Sequence, residues 1–529
     1  MGSGQLGRRV RPGPERLPAA QLHDEPVASS PIGRRRAGLL LGPIVLAGVL
    51  VLPLPLTWPQ HALVGVLAFA MVYWSLEAIP VPATALLVLA LCVLLDVPDV
   101  HGNPNPGDAV FSQFSSDTVF LLIGGFMLAQ AMVKHGLNRR IALGVLSLPG
   151  VATSTSRVII SFGLLGALLS SVIANGAVAT MLLPITIGIE RSLTDLIRTS
   201  HPEHSYRRFR FSTALMLMTA YGITVGGLLT PIGDPSNLIG RSFVQAQFGQ
   251  RVSFGRWVVL AAPIVAVLFV VLCLLVLLLN PPELRHIIGT RRMIGEQRRQ
   301  LGPMSRGELN TLVAFSLAVL LWILPTAAGM LLGHDARLHQ LLLNRDDAAV
   351  AALIAATLLF VLPVAWRQRE FTLTWQDASG IDWGTILLIG TGLTLGRLML
   401  STGLASVLGH RLAAMIGDAP HWLVFPLVAG MAILISEITS NTASVGIVVP
   451  IMPALSQATG TEPVDLALVA VFAATYGFML PISTSANAIA FSSGKVPIRA
   501  MLRCGLLVDL SGVVLIAAGL AVMLHLAGP

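Results

Sequence analysis

The chain has 529 residues, of which 54% are apolar and only 11% charged, and its mean hydropathy is +0.78. So little charge excludes a water-soluble globule of this size and makes lipid the main solvent. The formal charge of +8 comes without a compact basic domain interleaved with aromatics, so it excludes a nucleic-acid binder and reads instead as membrane topology.

In chain order, residues 1–36 hold Arg8, Arg9, Arg11, Arg16 and the run Arg34 to Arg36 among prolines and glycines, the pattern of a disordered basic cytoplasmic tail. The apolar stretch that follows is too long for a secretory signal and has no clear cleavage site, so it predicts a first membrane span. Spanning helices are expected near 37–57, 61–79, 82–96, 117–134, 211–233, 257–280, 310–333, 348–366, 383–404, 467–484 and 503–527. Two further apolar stretches, 155–190 and 420–455, are interrupted by Ala174-Asn175-Gly176 and Ser440-Asn441-Thr442. They predict re-entrant hairpins. The fold class is therefore an all-α polytopic membrane protein of about eleven spans plus two hairpins. It divides into a first half at 37–280, a basic cytoplasmic linker at 281–309 and a second half at 310–529.

Cytoplasmic loops retain Lys and Arg. With the amino terminus inside, most of the 34 basic residues fall on the cytoplasmic side, notably in 191–210 and 281–309, while 97–116 has none. An odd number of spans then places the carboxyl terminus outside. Cys92, Cys273 and Cys504 lie in apolar runs without paired spacing and read as packing residues.

Landmarks repeat in the same order in both halves. Leu121-Leu122-Ile123-Gly124 recurs as Leu387-Leu388-Ile389-Gly390, and Gly136-Leu137 as Gly403-Leu404. Asn175 with Pro184-Ile185 matches Asn441 with Pro450-Ile451, and Pro231-Ile232 with Asn237 matches Pro481-Ile482 with Asn487. The expected topology starts the helices at 117 and 383 on opposite sides, which makes an inverted repeat. Such a pair lets one site near the midplane be reached alternately from each face.

Broken helices are tolerated in lipid only where protein, water or a ligand satisfies their backbone groups. Four breaks stand out: Ala174-Asn175-Gly176, Gly226 through Asn237, Ser440-Asn441-Thr442, and Ser483 through Asn487. Exposed helix amino termini favour anions and freed carbonyls favour cations. The alternative for any single break is helix packing through small residues.

The stretch Trp74-Ser75-Leu76-Glu77-Ala78-Ile79-Pro80-Val81-Pro82-Ala83-Thr84, the stretch Phe120 to Ala129, the stretch His135 to Arg140, and Ser440-Asn441-Thr442 followed by Pro450-Ile451 together resemble the divalent anion:sodium symporters, solute carrier family 13, which include bacterial dicarboxylate transporters. The resemblance covers about residues 40–525. It implies a homodimer of scaffold and transport domains working as an elevator in the cell membrane. It also implies a small organic anion held between the hairpin tips, and two sodium ions. Substrate would meet Asn175, Asn441, Thr442 and Thr484. One sodium would use Ser170, Ala174, Asn175 and Gly226, and the other Ser436, Thr439, Asn441 and Ser483.

The first half departs from the family pattern. Its tip reads Ala-Asn-Gly in place of Ser-Asn-Thr, and its interrupted helix reads Gly-Asp-Pro-Ser-Asn where Gly-Thr-Pro-Pro-Asn is usual, which places a carboxylate at Asp234. Beside an anion site this carboxylate calls for a proton or a metal ion, making Asp234 a coupling candidate; as a helix N-cap it would be equally apt. Glu77 reads as an ion-pair residue before a substrate group, Arg397 equally as an attractor of anions or as a snorkelling or ion-paired residue, and His201 and His204 as solvated surface.

No metalloprotease, nucleophile-elbow or phosphate-loop motif is present in the sequence, so neither an enzyme nor an ATP-driven pump is expected. The sequence therefore predicts sodium-coupled carriage of small di- or tricarboxylates, with no cofactor beyond sodium. Sulfate transport, proton symport, anion exchange and cation/proton antiport remain open as alternatives.

Overall fold

The structure, a computed structural model, describes residues 32–98, 106–151, 154–200, 209–250, 252–284, 290–332, 337, 348–416 and 420–527. Residues 1–31, His201 and His204 lie outside them. The described chain is helical apart from short connections and one antiparallel pair, Pro363–Ala365 with Glu370–Phe371.

Eight described helices are long and apolar enough to cross a membrane by length and composition. Trp58–Leu76, Asp117–His135, Phe254–Leu279, Arg306–Gly329, Trp383–Ser401 and Ile498–Leu526 fall on spans expected from the sequence. Asn175–Asp195 and Asn441–Thr459 are the second arms of the two expected hairpins. The expected spans at 82–96, 348–366 and 467–484 are carried by shorter apolar helices, Val81–Leu94, Ala348–Val361 and Pro463–Ala474. Leu274, Leu278, Leu331 and Val514 stay more than half exposed on their helices. Exposed leucines and valines along long apolar helices are what lipid contact requires.

The first helix, Ile32–Val51, begins inside the stretch that composition assigned to the tail. Within it, Arg35 donates from Nε to the Ala78 carbonyl at 3.1 Å, just past the end of the next helix. Another difference is the short helix Leu137–Leu146, whose ten residues fall below the length of a span. It is anchored by Arg140, whose Nε meets Glu308 Oε1 at 2.6 Å.

The repeat read from the sequence is a repeat of structure. Asp117–His135, a left-handed Gly136 at φ 73° and Leu137–Leu146 recur as Trp383–Ser401, a left-handed Gly403 at φ 75° and Leu404–Ile416. Glycine suits both turns because a side chain is strained at positive φ. The first hairpin, Thr155–Ser170 with Asn175–Ser200, recurs as His421–Ile438 with Asn441–Val448. The interrupted helix Arg210–Gly227 with Pro235–Phe248 recurs as Pro463–Ala474 with Ser485–Ser492.

Small residues let the first hairpin arm lie directly on the interrupted helix. A Cβ on Gly222 would stand 2.4 Å from the Gly163 carbonyl oxygen, and one on Gly226 would stand 2.2 Å from Ala167 Cα. Close backbone approach of this kind takes the place of the hydrophobic driving force that helices lack in lipid.

Beyond that contact, the arm Asn175–Ser200 carries a fully buried acid, Glu190. It accepts from Thr194 Oγ1 at 3.0 Å and from the Ser212 hydroxyl, and Lys495 Nζ lies 2.9 Å from its Oε2. Removing the cation from a buried pair leaves an uncompensated charge, at a cost of about 3–5 kcal/mol. Lys495 is itself one-third exposed, so the lower end of that range is expected. Lys495→Met should lower the melting temperature of the purified protein in detergent, and adding Glu190→Gln should recover much of the loss. Equal melting of Lys495→Met and wild type would show that the pair carries no stability.

Candidate functional site

Four helices begin at one place. They start at Asn175, Pro235, Asn441 and Ser485, one at each break singled out in the sequence. Their first residues line a single cavity of about 170 Å³. The first tip contributes Ala174, Asn175 and Gly176, and the second contributes Ser440, Asn441 and Thr442. The interrupted helices contribute Asp234 with Pro235 and Ser483 with Thr484 and Ser485. The volume is below the range of about 300–1,000 Å³ typical of drug-sized ligands, and it suits a small ion.

Each tip is built around one asparagine. At the first, the Ser170 hydroxyl donates to Asn175 Oδ1, and the Asn175 backbone N–H donates to the Gly233 carbonyl at 3.1 Å. At the second, the Ser436 hydroxyl lies 2.9 Å from Asn441 Oδ1 and 2.6 Å from the Ala474 carbonyl oxygen. Asn441 Nδ2 also donates to the Thr475 carbonyl at 3.2 Å. Serine and asparagine stand five residues apart in both tips, and both serines are fully buried.

The interrupted helices repeat the same economy. Asn237 Nδ2 donates to the carbonyls of Gly227 at 2.8 Å and Thr230 at 3.0 Å, and Asn487 Nδ2 donates to the Leu480 carbonyl at 3.2 Å. Because carbonyl oxygens surround each amide nitrogen, the Oδ1 atoms face the other way. Both Oδ1 atoms are buried, with no hydrogen-bond partner among the described residues.

Asp234 is where the halves differ, since its counterpart in the repeat is Thr484. Both are N-caps: Asp234 Oδ1 accepts from the Ser236 N–H at 2.9 Å, and Thr484 Oγ1 accepts from the Asn487 N–H at 3.1 Å. Asp234 does more, because its Oδ2 accepts from Asn175 Nδ2 at 2.6 Å and from Asn441 Nδ2 at 3.2 Å. One carboxylate thus joins both hairpin tips, and the Ser236 hydroxyl donates to its other oxygen.

Of the residues expected at the site, Ala174, Asn175, Asp234, Asn441, Thr442, Ser483 and Thr484 line the cavity. Ser170 and Ser436 stand one layer behind, bonded to the two asparagines. Gly226 packs on Ala167, and the Thr439 hydroxyl donates to the Ile435 carbonyl at 2.7 Å; neither is among the lining residues. Sequence reasoning missed Asp382 and Thr385, which line the cavity from the head of Trp383–Ser401. Asp382 N-caps that helix, accepting from Thr385 N–H at 3.0 Å and Thr385 Oγ1 at 2.6 Å. An acid at the mouth of an ordinary span was the available signal.

Neither Arg397 nor Glu77 belongs to this cavity. Arg397 lines a separate one of about 510 Å³ with Gln113 and Ser242, and donates to the Ser112 hydroxyl at 3.2 Å. Glu77 caps Trp58–Leu76 in a left-handed conformation at φ 47°. Among the described residues, the lining of the central cavity therefore holds two carboxylates, Asp234 and Asp382, and no Lys, Arg or His. The amino termini of four helices set partial positive charge at its edge.

Residues 34–525 match the family model described as the sodium:sulfate symporter transmembrane region. The chain is 33% identical over 485 residues to the sodium-dependent dicarboxylate transporter SdcS of Staphylococcus saprophyticus, covering 90% of this chain and 89% of that protein. It is 32% identical over 483 residues to SdcS of Staphylococcus aureus, with the same coverage. The solved structure of the Alcanivorax borkumensis YdaH transporter aligns with a TM-score of 0.46 at 15% identity, covering 89% of this chain and 99% of that one.

The tip geometry is sensitive to one glycine. A Cβ on Gly227 would stand 2.3 Å from Asn175 Oδ1, whereas nothing lies within 4 Å of one on Gly188. Gly227→Ala should cost about 1–3 kcal/mol and abolish ligand binding by displacing Asn175, while Gly188→Ala should leave both unchanged. Ligand-induced shifts of the melting temperature read both effects, and an intact shift in Gly227→Ala would show that Asn175 need not stay in place.

Proposed function

For a chain that belongs to the sodium:sulfate symporter family, we propose secondary active transport of small di- or tricarboxylates coupled to sodium. The observation that carries the reading is electrostatic. Four helix amino termini invite an anion into a cavity that, among the described residues, contains two carboxylates and no fixed cation. A dicarboxylate there is repelled by Asp234 and Asp382 unless mobile cations accompany it. The relatives named sodium-dependent dicarboxylate transporters support this choice of cargo and ion.

In this reading Asn175, Asn441, Thr442 and Thr484 meet the substrate. Sodium is held around the first tip by Ser170, Ala174, Asn175 and Gly226, and around the second by Ser436, Thr439, Asn441 and Ser483. The buried Oδ1 atoms of Asn237 and Asn487 face no donor, and an oxygen in that state suits a hard cation. Asp234 supplies fixed negative charge for the ions. It faces four donors, the amides of Asn175 and Asn441 and the N–H and hydroxyl of Ser236, a set suited to an acceptor carboxylate.

Transport proceeds by alternating access between two halves of opposite orientation, in a homodimer whose hairpins and interrupted helices move as an elevator. The amino terminus is cytoplasmic and the carboxyl terminus outside. Opposed repeats explain how one site serves both faces, because exchanging the conformations of the halves exchanges inside for outside.

Uptake of labelled succinate and labelled sulfate into proteoliposomes, with and without an inward sodium gradient, tests the reading. Succinate should accumulate only with the gradient. Asp234→Asn should move the sodium dependence to higher concentrations while sparing uptake at saturating sodium. Accumulation of succinate without sodium would overturn the coupling, and unchanged sodium and pH dependence in Asp234→Asn would remove that residue from it.

A further inference from the structure

The cavity of about 510 Å³ beside Arg397 is far larger than the central one of about 170 Å³, and none of the residues assigned to substrate or sodium lines it. Its walls come from three helices, Trp383–Ser401, Pro235–Phe248 and Asn441–Val448, and from the turn Ser112–Ser115. Gly392 stands at its inner end. A Cβ there would lie 2.9 Å from Ile239 Cδ1 and 3.8 Å from Thr442 Cγ2, and Thr442 lines the central cavity, so the two cavities are neighbours.

The chemistry changes along its length. Ile239, Leu393, Val445 and Val449 form a floor in which no residue is more than 8% exposed. Arg397, Gln247 and Ser401 are exposed at the mouth, and Gln113 is half-buried beside them. Arg397 lies five residues beyond Gly392 on the same helix, about 7 Å along its axis. Its guanidinium has five N–H groups, and among the described residues it makes one hydrogen bond, from Nη1 to Ser112 Oγ at 3.2 Å. Among those residues no Asp or Glu lines the cavity.

An apolar floor with one cation at its mouth complements a molecule that has an apolar body and a single anionic head. A small dicarboxylate would set its second charge against isoleucine and valine with no cation to meet it. A neutral apolar molecule would bring no acceptor to the guanidinium. The volume falls in the range of about 300–1,000 Å³ found for pockets that enclose an organic ligand.

We propose that this cavity binds a single-chain amphiphilic anion, its head on Arg397 beside Gln113 and Gln247 and its hydrocarbon chain along the floor. The site is independent of the substrate and of the coupling ion assigned above.

Isothermal titration of the full chain in phosphatidylcholine nanodiscs, corrected with empty nanodiscs, tests it with octanoate as the probe. The wild type should bind one octanoate per chain, and octanol and octylammonium should bind about tenfold more weakly or not at all. Arg397→Gln should weaken octanoate by about tenfold, the loss of one charge-assisted pair. A second variant closes the cavity itself. Gly396 lines it, and a Cβ there would meet only Pro450 Cγ, at an ordinary 3.6 Å, so Gly396→Leu should fold and place its side chain where the ligand lies. It should abolish octanoate binding while melting like the wild type. Octanol binding as tightly as octanoate would overturn the proposal, as would equal octanoate affinity in wild type and Arg397→Gln or binding that survives in a folded Gly396→Leu. Displacement of octanoate by succinate would give the cavity to the cargo and overturn it as well.

Discussion

Where a helix stops inside an apolar body, its amides and carbonyls need partners, and the centre of this molecule depends on how that need is met. Asparagine side chains meet it three times, at Asn237, Asn441 and Asn487. Asn237 and Asn487 reach back across the breaks to carbonyls that a continuous helix would have used internally. Asn175 and Asn441 start the inner arms of the hairpins and turn their amides toward the cavity. Because the backbone is satisfied by side chains rather than by a continuous helix, four helix starts can meet at one cavity, and its lining follows from the breaks themselves.

The two halves solve this problem with the same geometry but different charge. Thr484 and Asp234 cap equivalent helices, and either one completes a first turn. Only the carboxylate can also draw the amides of both tips to one point. The first tip has Ala174 and Gly176 where the second has the hydroxyls of Ser440 and Thr442, and Asp234 brings acceptor oxygens to the same space. Asymmetry between the halves is thus a compensation within one cavity, with polar atoms moved from the hairpin to the interrupted helix it touches.

Much of this was legible in the sequence because polar residues in apolar runs are costly and few. Asn175, Asn441, Ser483 and Thr484 were visible as interruptions, and the repeat tied them together before any coordinates. Asp382 was not, because an acid at the head of a span already has a sufficient reading as an N-cap, and that reading is also true. Leu137–Leu146 escaped because ten amphipathic residues give no span signal.

The hydrogen bonds at Asp234 also limit how a ligand can enter. An anion that takes the amide of Asn175 or Asn441 must take it from Asp234, leaving a carboxylate oxygen without its donor in a cavity that has no basic side chain. Desolvated charge in that position is costly unless a cation arrives with or before the anion. On the proposed reading, cation first, anion second is then the order of lower energy.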